Sequence, residues 1–313
     1  MHACQLCGSK HPGDPEECPE ARTGDLVAEK FEVGPMLGIG GMAAVYSARH
    51  RVLRRDVALK ILHKRWASDE ELAARFVREA RATATAGHPA FVEVHDAGTT
   101  ADGCAYIEMA RLDGRDLYTI RRDDGRLEPI RAARIAVAIL GGLEALHARA
   151  TIHRDIKSAN IFVVPNADGT ETVKLIDLGF AKVVDEPKLT APKQLLGTPY
   201  YISPEQYLDP TTVDHRADLF SLGIVLFEVL TGGWPYTYSN RQDLLAKVLN
   251  GVLERHPAMR EVDVPDWLDA VVARALAHRR EDRFANAAEM RAALEPHLAP
   301  TRPSLLRRMF RRT

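Results

Sequence analysis

Apolar positions change period along the chain. Between 31 and 37, Phe31, Val33, Pro35 and Leu37 alternate with other residues, the period of two that predicts a strand. Gly38-Ile39-Gly40-Gly41 interrupts it, Val45-Tyr46-Ser47-Ala48-Arg49 predicts a second strand, and 57–62 predicts a third. Ser68-Asp69-Glu70-Glu71 has the form of a capping box, serine with glutamate three positions on. It predicts a helix reaching to about Thr85, with Leu72, Phe76, Ala80 and Thr83 on one face, and His88-Pro89 blocks its continuation. Stretches 91–98 and 105–110 predict two more strands. From Leu112 onward helical spacing dominates: 130–148 and 218–231 are apolar, and 267–277 and 285–294 are amphipathic. Between the first two helices lies an irregular stretch, 151–217, dense in Asp, Lys, Asn, Gly and Pro. A long segment of that kind inside a compact domain is usually functional.

The 313 residues suit one large two-lobed domain or two small ones, and 46% hydrophobic with 27% charged residues is ordinary for a globular protein. A net charge of −1 argues against a protein that coats nucleic acid, which needs surplus Lys and Arg, so no nucleic-acid partner is expected. It leaves open a local site for a phosphorylated ligand. No apolar run approaches the ~20 residues that span a bilayer. The longest, 135–143 and 222–230, are short or interrupted by Glu228 and read as core helices. The opening Met1-His2-Ala3-Cys4 lacks the apolar region of a secretory signal, and four cysteines do not make a disulfide scaffold. A reducing cytoplasm is the expected compartment.

Three clusters carry chemistry. Gly38-Ile39-Gly40-Gly41-Met42-Ala43 reads either as a plain tight turn or as a loop whose amides approach a phosphate with no Cβ in the way. Because a strand follows it, the helix-opening dinucleotide loop does not fit. Lys60 ends an apolar strand, where a lysine often just reaches back to water. Glu79 stands 19 positions on, along the capped helix; if that helix packs on the strand, the pair orients Lys60 toward phosphate oxygens. The third cluster is His153-Arg154-Asp155-Ile156-Lys157-Ser158-Ala159-Asn160, followed 17 positions after Asn160 by Asp177-Leu178-Gly179. Either piece alone reads as a solvated polar loop. Two acids and an amide beside buried strands need partners, and oxygen ligands of this type suit Mg²⁺ held jointly with phosphates.

Taken in order, LGIGGMAAV, VALK, Glu79, HRDIKSAN, DLG and Ser203-Pro204-Glu205 resemble the motif set of protein kinases, most closely the bacterial eukaryotic-like (Hanks-type) Ser/Thr kinases, over roughly 31–296. The resemblance implies an α+β fold of two lobes: a small β-rich lobe with one key helix, and a larger, mostly helical lobe. It implies ATP and Mg²⁺ as cofactors, and protein Ser/Thr hydroxyls as acceptors. The backbone of Gly38–Ala43, Gly40 and Gly41 included, then covers the ATP phosphates, Leu37 is part of the ATP site, and Lys60 binds the α- and β-phosphates, positioned by Glu79. Asp155 orients or deprotonates the acceptor hydroxyl, and Lys157 neutralises the transferred phosphoryl group. Asn160 and Asp177 hold Mg²⁺. Val45, Ala58 and Phe162 enclose adenine, Met109 stands behind it, and Ala110 to Leu112 form the hinge. A catalytically dead scaffold and a small-molecule phosphotransferase are the rivals; the first is disfavoured by the full polar set, the second by the peptide-site segment GTPYYISPE.

By the same resemblance, Lys157 marks the Ser/Thr class, and Thr198 bonds Asp155 and Lys157. Arg154 pairs with a phosphate on the activation segment. Thr190 and Thr198 are the only threonines between Asp177 and Glu205; with Thr198 structural, Thr190 is the expected phosphosite. Asp218 braces the catalytic loop, and Glu205 pairs with Arg283. Departures from the pattern are Ala43 for the third glycine, Leu178 for Phe, Ser203 for Ala, and Ala110-Arg111 for the usual acidic–aromatic hinge pair.

Four segments follow: a Cys-rich extension at 1–24, the small lobe at 25–112, the large lobe at 113–298, and a basic tail at 299–313. Cys4-x-x-Cys7-Gly8 has the form of a zinc knuckle, with Cys18 as third ligand and His11 or His2 as fourth. Free thiols on an unstructured arm are the alternative, and a redox pair lacks its βαβ context. The arginine-rich tail, with Leu305, Leu306, Met309 and Phe310 near one helical face, reads as a solvated end or as a contact with anionic lipid.

Overall fold

The computed structural model describes Cys4, Cys18, residues 21–178, 199–251, Met259 and 262–298. The small lobe is a six-stranded antiparallel sheet: β1 (Leu26–Val27), β2 (Phe31–Ile39), β3 (Ala43–His50), β4 (Arg55–Leu62), β5 (Val94–Thr99) and β6 (Ala105–Ala110), in the order β1-β2-β3-β4-β6-β5. The β2–β3 register shifts twice, between Val33 and Met36 and between Met36 and Gly38. Such irregularities increase local twist and curl the sheet toward the glycine cluster.

One helix, α1 (Glu70–Ala86), lies against this sheet. It buries Leu72, Phe76, Glu79, Ala80 and Thr83, the face predicted from spacing, with Glu79 now included. Its cap differs from expectation. Asp69, not Ser68, is the N-cap, and its carboxylate accepts the Leu72 N–H. A carboxylate at a helix N-terminus also meets the positive end of the macrodipole, an advantage a serine lacks. The helix ends on Gly87 at φ 60°, the left-handed conformation that glycine adopts without a Cβ penalty.

The large lobe starts with β7 (Arg115–Asp116), α2 (Leu117–Asp124) and α3 (Pro129–His147). The stretch expected to be irregular contains a hairpin, β8 (Ile161–Pro165) with β9 (Glu171–Leu175), and a short helix, α4 (Pro204–Leu208). Then follow α5 (Arg216–Thr231), α6 (Arg241–Leu249), α7 (Asp266–Ala275) and α8 (Ala287–Leu294). All residues of α5 from Ala217 to Leu230 are buried. A helix apolar all round belongs in a core, and α3, α7 and α8 pack around it. Its two buried acids, Asp218 and Glu228, carry partners described below. Among the described residues, no helix is long and apolar enough to cross a membrane.

Among the described residues ahead of 25, Cys18 and Arg22 are joined to the small lobe. Cys18 is 4% exposed within the apolar cluster of Phe31, Tyr46, Leu59 and Cys104. Arg22 donates to Asp102 at 2.6 Å and to the Cys104 sulfur at 3.2 Å. Cys7, His11, Thr190, Thr198 and the tail lie outside the described residues. Among the described residues, no group of three or more His, Cys, Asp or Glu side chains is placed to hold a metal ion.

Candidate active site

Between the lobes the dispersed polar residues converge. β4 pairs with β3 and β6, so Lys60 sits mid-sheet opposite Val45 and Ile107. Packing of α1 on the sheet brings Glu79 to it, and the Lys60 ammonium donates to Glu79 Oε1 at 3.1 Å and to Asp177 Oδ1 at 2.8 Å. The ammonium also lies 5.6 Å from the Phe76 ring centroid. Burial opposes charge on Lys60, but Asp177 and Glu79 outweigh it and raise its pKa. Burial pushes the Glu79 carboxyl up, Lys60 pulls it back down, and Asp177 adds to the rise. An ion pair this enclosed adds little net stability against desolvation; its consequence is a fixed lysine.

The β8–β9 hairpin explains how residues 155–160 meet Asp177. Ile161 pairs with Leu175, and the Ile176 N–H donates to the Asn160 carbonyl at 3.0 Å. That places Asn160, entering the hairpin, beside Asp177, leaving it. The Asn160 amide nitrogen donates to the Asp155 carbonyl at 2.9 Å and to Asp155 Oδ2 at 3.0 Å. Holding the nitrogen there turns the amide oxygen the other way. Lys157 donates to the same Oδ2 at 3.0 Å. The Asp177 side chain is 33% exposed, against 8% for Glu79, so its carboxylate faces the cleft.

The backbone that leads into Asp155 is held from beneath. Asp218 Oδ2 accepts the His153 N–H at 2.9 Å, Oδ1 accepts the Arg154 N–H at 2.8 Å, and His147 Nε2 lies 2.7 Å from Oδ2. Arg154 sits at φ 61°, unfavourable for a residue with a Cβ and kept only where surroundings over-determine it. His153 is fully buried; its Nδ1 accepts the Asp155 N–H at 3.3 Å, and burial pushes its pKa down, so the ring is neutral. A second buried chain links the Ser158 and Tyr201 hydroxyls (2.8 Å) to Glu228 (2.7 Å from Tyr201), with Arg121 3.3 Å from the same carboxylate. Sequence reading missed Arg121, Glu228 and Tyr201 as one group, because nothing in spacing links positions so far apart. Arg283 meets Glu205 through both terminal guanidinium nitrogens, at 2.7 and 2.9 Å.

Five of the expected adenine residues, Val45, Ala58, Met109, Ala110 and Leu112, gather at one place. Ala58 and Met109 pair across β4 and β6, and Val45, Ala110 and Leu112 pack against the cluster they belong to. Phe162 lies between inward-facing Ile161 and Val163, so strand alternation turns it to the opposite face. Leu37 is 52% exposed at the edge. Leu178, standing where Phe was expected, is 2% exposed in the large-lobe core.

A hard divalent cation fits this donor set. Asp177 supplies a carboxylate, and the Asn160 oxygen is presented by the bonds its nitrogen makes, leaving remaining positions for phosphate oxygens and water.

Comparison with known proteins agrees with this arrangement. The protein kinase domain family matches residues 31–294. The serine/threonine-protein kinase PknB of Mycolicibacterium smegmatis is 39% identical over 290 residues, 90% of this chain and 45% of that protein. The serine/threonine-protein kinase pkn3 of Myxococcus xanthus is 35% identical over 279 residues, 87% of this chain and 50% of that protein. The chain thus spans about half the length of these curated relatives. A crystal structure of the PknI kinase domain of Mycobacterium tuberculosis superimposes with TM-score 0.63 at 28% identity, covering 88% of this chain and 98% of that one. A two-lobed α+β architecture, a Lys60–Glu79 pair joined to Asp177, and a family match spanning both lobes lead to one conclusion: the chain belongs to the protein kinase family, in its bacterial Hanks-type Ser/Thr branch.

Proposed function

We propose that this chain transfers the γ-phosphoryl group of ATP to serine and threonine hydroxyls of proteins, with Mg²⁺. The observation that carries the reading is the single polar cluster in which Lys60, Glu79 and Asp177 meet, beside Asp155, Lys157 and Asn160. Lys60 holds the α- and β-phosphates, its direction set by Glu79. Asn160 and Asp177 hold the metal, which when bound neutralises charge shared between the β- and γ-phosphates. Asp155 orients the acceptor hydroxyl and takes its proton. The hydroxyl oxygen forms the new bond to γ-phosphorus as the bond to the β,γ-bridging oxygen breaks, and ADP leaves with that electron pair. Lys157 offsets charge on the moving group. Positioning and fixed electrostatics supply the rate, since the protein itself does little covalent chemistry.

The finer elements of the proposal rest on the sequence. Arg154 pairs with a phosphate on Thr190, placed there by the chain itself, and the substrates are cytoplasmic proteins. The Cys4-x-x-Cys7-Gly8 segment, with Cys18 and His11 or His2, takes zinc; metal analysis of wild type against Cys7→Ser tests it. The basic tail does not bind anionic lipid, and vesicle binding of the full chain against a 1–300 truncation tests that.

Radiolabelled ATP, Mg²⁺ and a generic basic protein, followed by phosphoamino-acid analysis, test the central proposal. Label on serine and threonine is expected. Label on tyrosine alone, or none, contradicts it.

A further inference from the structure

We infer that His63 and Arg65 are positioning residues for the phosphate-covering loop, fixing the peptide groups that meet the nucleotide. The inference rests on the kinase reading and extends it to two residues outside the family motifs.

The loop from Gly40 to Met42 joins β2 to β3, and its two adjacent glycines, Gly40 and Gly41, have broad conformational freedom. The Gly40 N–H donates to the Ala43 carbonyl at 2.9 Å and closes the turn from within, and a support from outside sets the peptides between. The segment just after β4 is that support. His63 Nε2 lies 2.8 Å from the Gly40 carbonyl; a carbonyl can only accept, so that ring nitrogen carries the proton. Arg65 Nη2 donates to the Gly41 carbonyl at 2.7 Å. The His63 backbone N–H donates to the Met42 carbonyl at 2.8 Å. Three consecutive loop carbonyls are therefore taken from one side.

The consequence follows from the planar trans peptide. The C=O of one residue and the N–H of the next point in opposite directions. Holding the Gly40 and Gly41 carbonyls toward His63 and Arg65 turns the Gly41 and Met42 N–H groups to the opposite side of the loop. Neither N–H donates to a backbone carbonyl among the described residues. Two successive amides aimed the same way form a concavity suited to an anion.

His63 is 4% exposed, so the imidazole is committed to this bond, whereas Arg65 is exposed and can be removed without opening a core. Lys60 lies three positions before His63, on β4, which ends at Leu62, so the strand that carries the lysine leads directly into the loop tether.

The test is nucleotide binding to the full chain, measured by calorimetry with ADP and with adenosine, which has no phosphate. Each of His63→Ala and Arg65→Ala is expected to weaken ADP about five- to tenfold, the scale of one lost hydrogen bond that orders a charged contact. Adenosine affinity is expected to stay at the wild-type value, because the adenine wall is untouched. His63→Gln, which keeps a donor near the Nε2 position, is expected to restore ADP affinity to within about twofold. In kinetics the loss falls on KM for ATP with kcat kept, the sign of an interaction made equally in ground and transition states. Equal loss of ADP and adenosine in Arg65→Ala, or no loss of either, overturns the inference while leaving the kinase reading in place. Wild type that binds ADP no tighter than adenosine contradicts that reading itself, and the tether falls with it.

Discussion

Lys60 and Asp177 are 117 positions apart in the chain, and the ammonium of one lies 2.8 Å from the carboxylate of the other. Lys60 comes from the small lobe and Asp177 from the large, so this contact bridges the cleft. Glu79, 3.1 Å from the same ammonium, makes α1 part of the arrangement. The position of one helix thereby decides whether the lysine is correctly aimed.

Removing that lysine is expected to slow the chemistry strongly and spare the fold. Lys60→Met keeps most of the aliphatic stem and should lower kcat by about 10²–10³-fold, the scale seen when one charge-stabilising donor is lost. Steady-state kinetics with melting temperature measured on the same samples checks it. A variant with near wild-type kcat contradicts the role.

Glu79 predicts an acid limb in the activity profile. Burial raises its carboxyl pKa, so protonation begins above the usual carboxylate range as pH falls. Protonated Glu79 no longer holds Lys60 by charge, and kcat/KM should decline there. Glu79→Gln should be slower at neutral pH and should lack that limb. A limb unchanged in the variant assigns the titration to another group.

Arg283 predicts a stability effect without a catalytic one. Its side chain is fully buried, bonded to Glu205 and to the backbone carbonyls of Ala277 and His278. Arg283→Ala leaves a nearly buried carboxylate without its counter-charge and should cost about 3–5 kcal/mol in denaturant unfolding. A double variant with Glu205→Gln should recover part of that loss.

The contact between Arg22 and Asp102 predicts a dependence at low pH. The Arg22 hydrogen bond holds the Asp102 carboxyl down at about 2. A depressed carboxyl pKa contributes stability above the unfolded value near 4, and the contribution disappears as pH falls from about 4 to about 2. Asp102 is on the surface, so the effect is small. Asp102→Asn should flatten that part of the pH–stability curve, measured by thermal unfolding; an unchanged slope rules the contact out as its source.

Much of this was readable in sequence because strong periodicity and burial coincide. Leu72, Phe76, Ala80 and Thr83 share a face by spacing and are buried together. Strand 105–110 and the helix ending at Thr231 stand where alternation and apolar runs place them. The helix α2 was not readable, since only Leu117 and Ile120 of its eight residues are buried. The β8–β9 hairpin lay inside a stretch whose polar composition masks two five-residue strands. The motif order suggested which site residues belong together. It could not supply the Ile176–Asn160 backbone bond that aligns Asn160 with Asp177, or the tether from His63 to Gly40, because both depend on pairing between distant segments.

Removing the divalent metal provides a reversible check on Asn160 and Asp177. Chelation should stop phosphoryl transfer completely, and added Mg²⁺ should restore it. Asp177→Asn should need a higher Mg²⁺ concentration for half-maximal rate, read from a metal titration. An Asp177→Asn titration curve matching wild type places the metal elsewhere.

The most direct test separates binding from chemistry at Asp155. Single-turnover phosphoryl transfer and ATP affinity are measured side by side for wild type and Asp155→Asn. The expected result is wild-type affinity with transfer slowed by about 10²-fold or more. Transfer at an undiminished rate by Asp155→Asn contradicts the account.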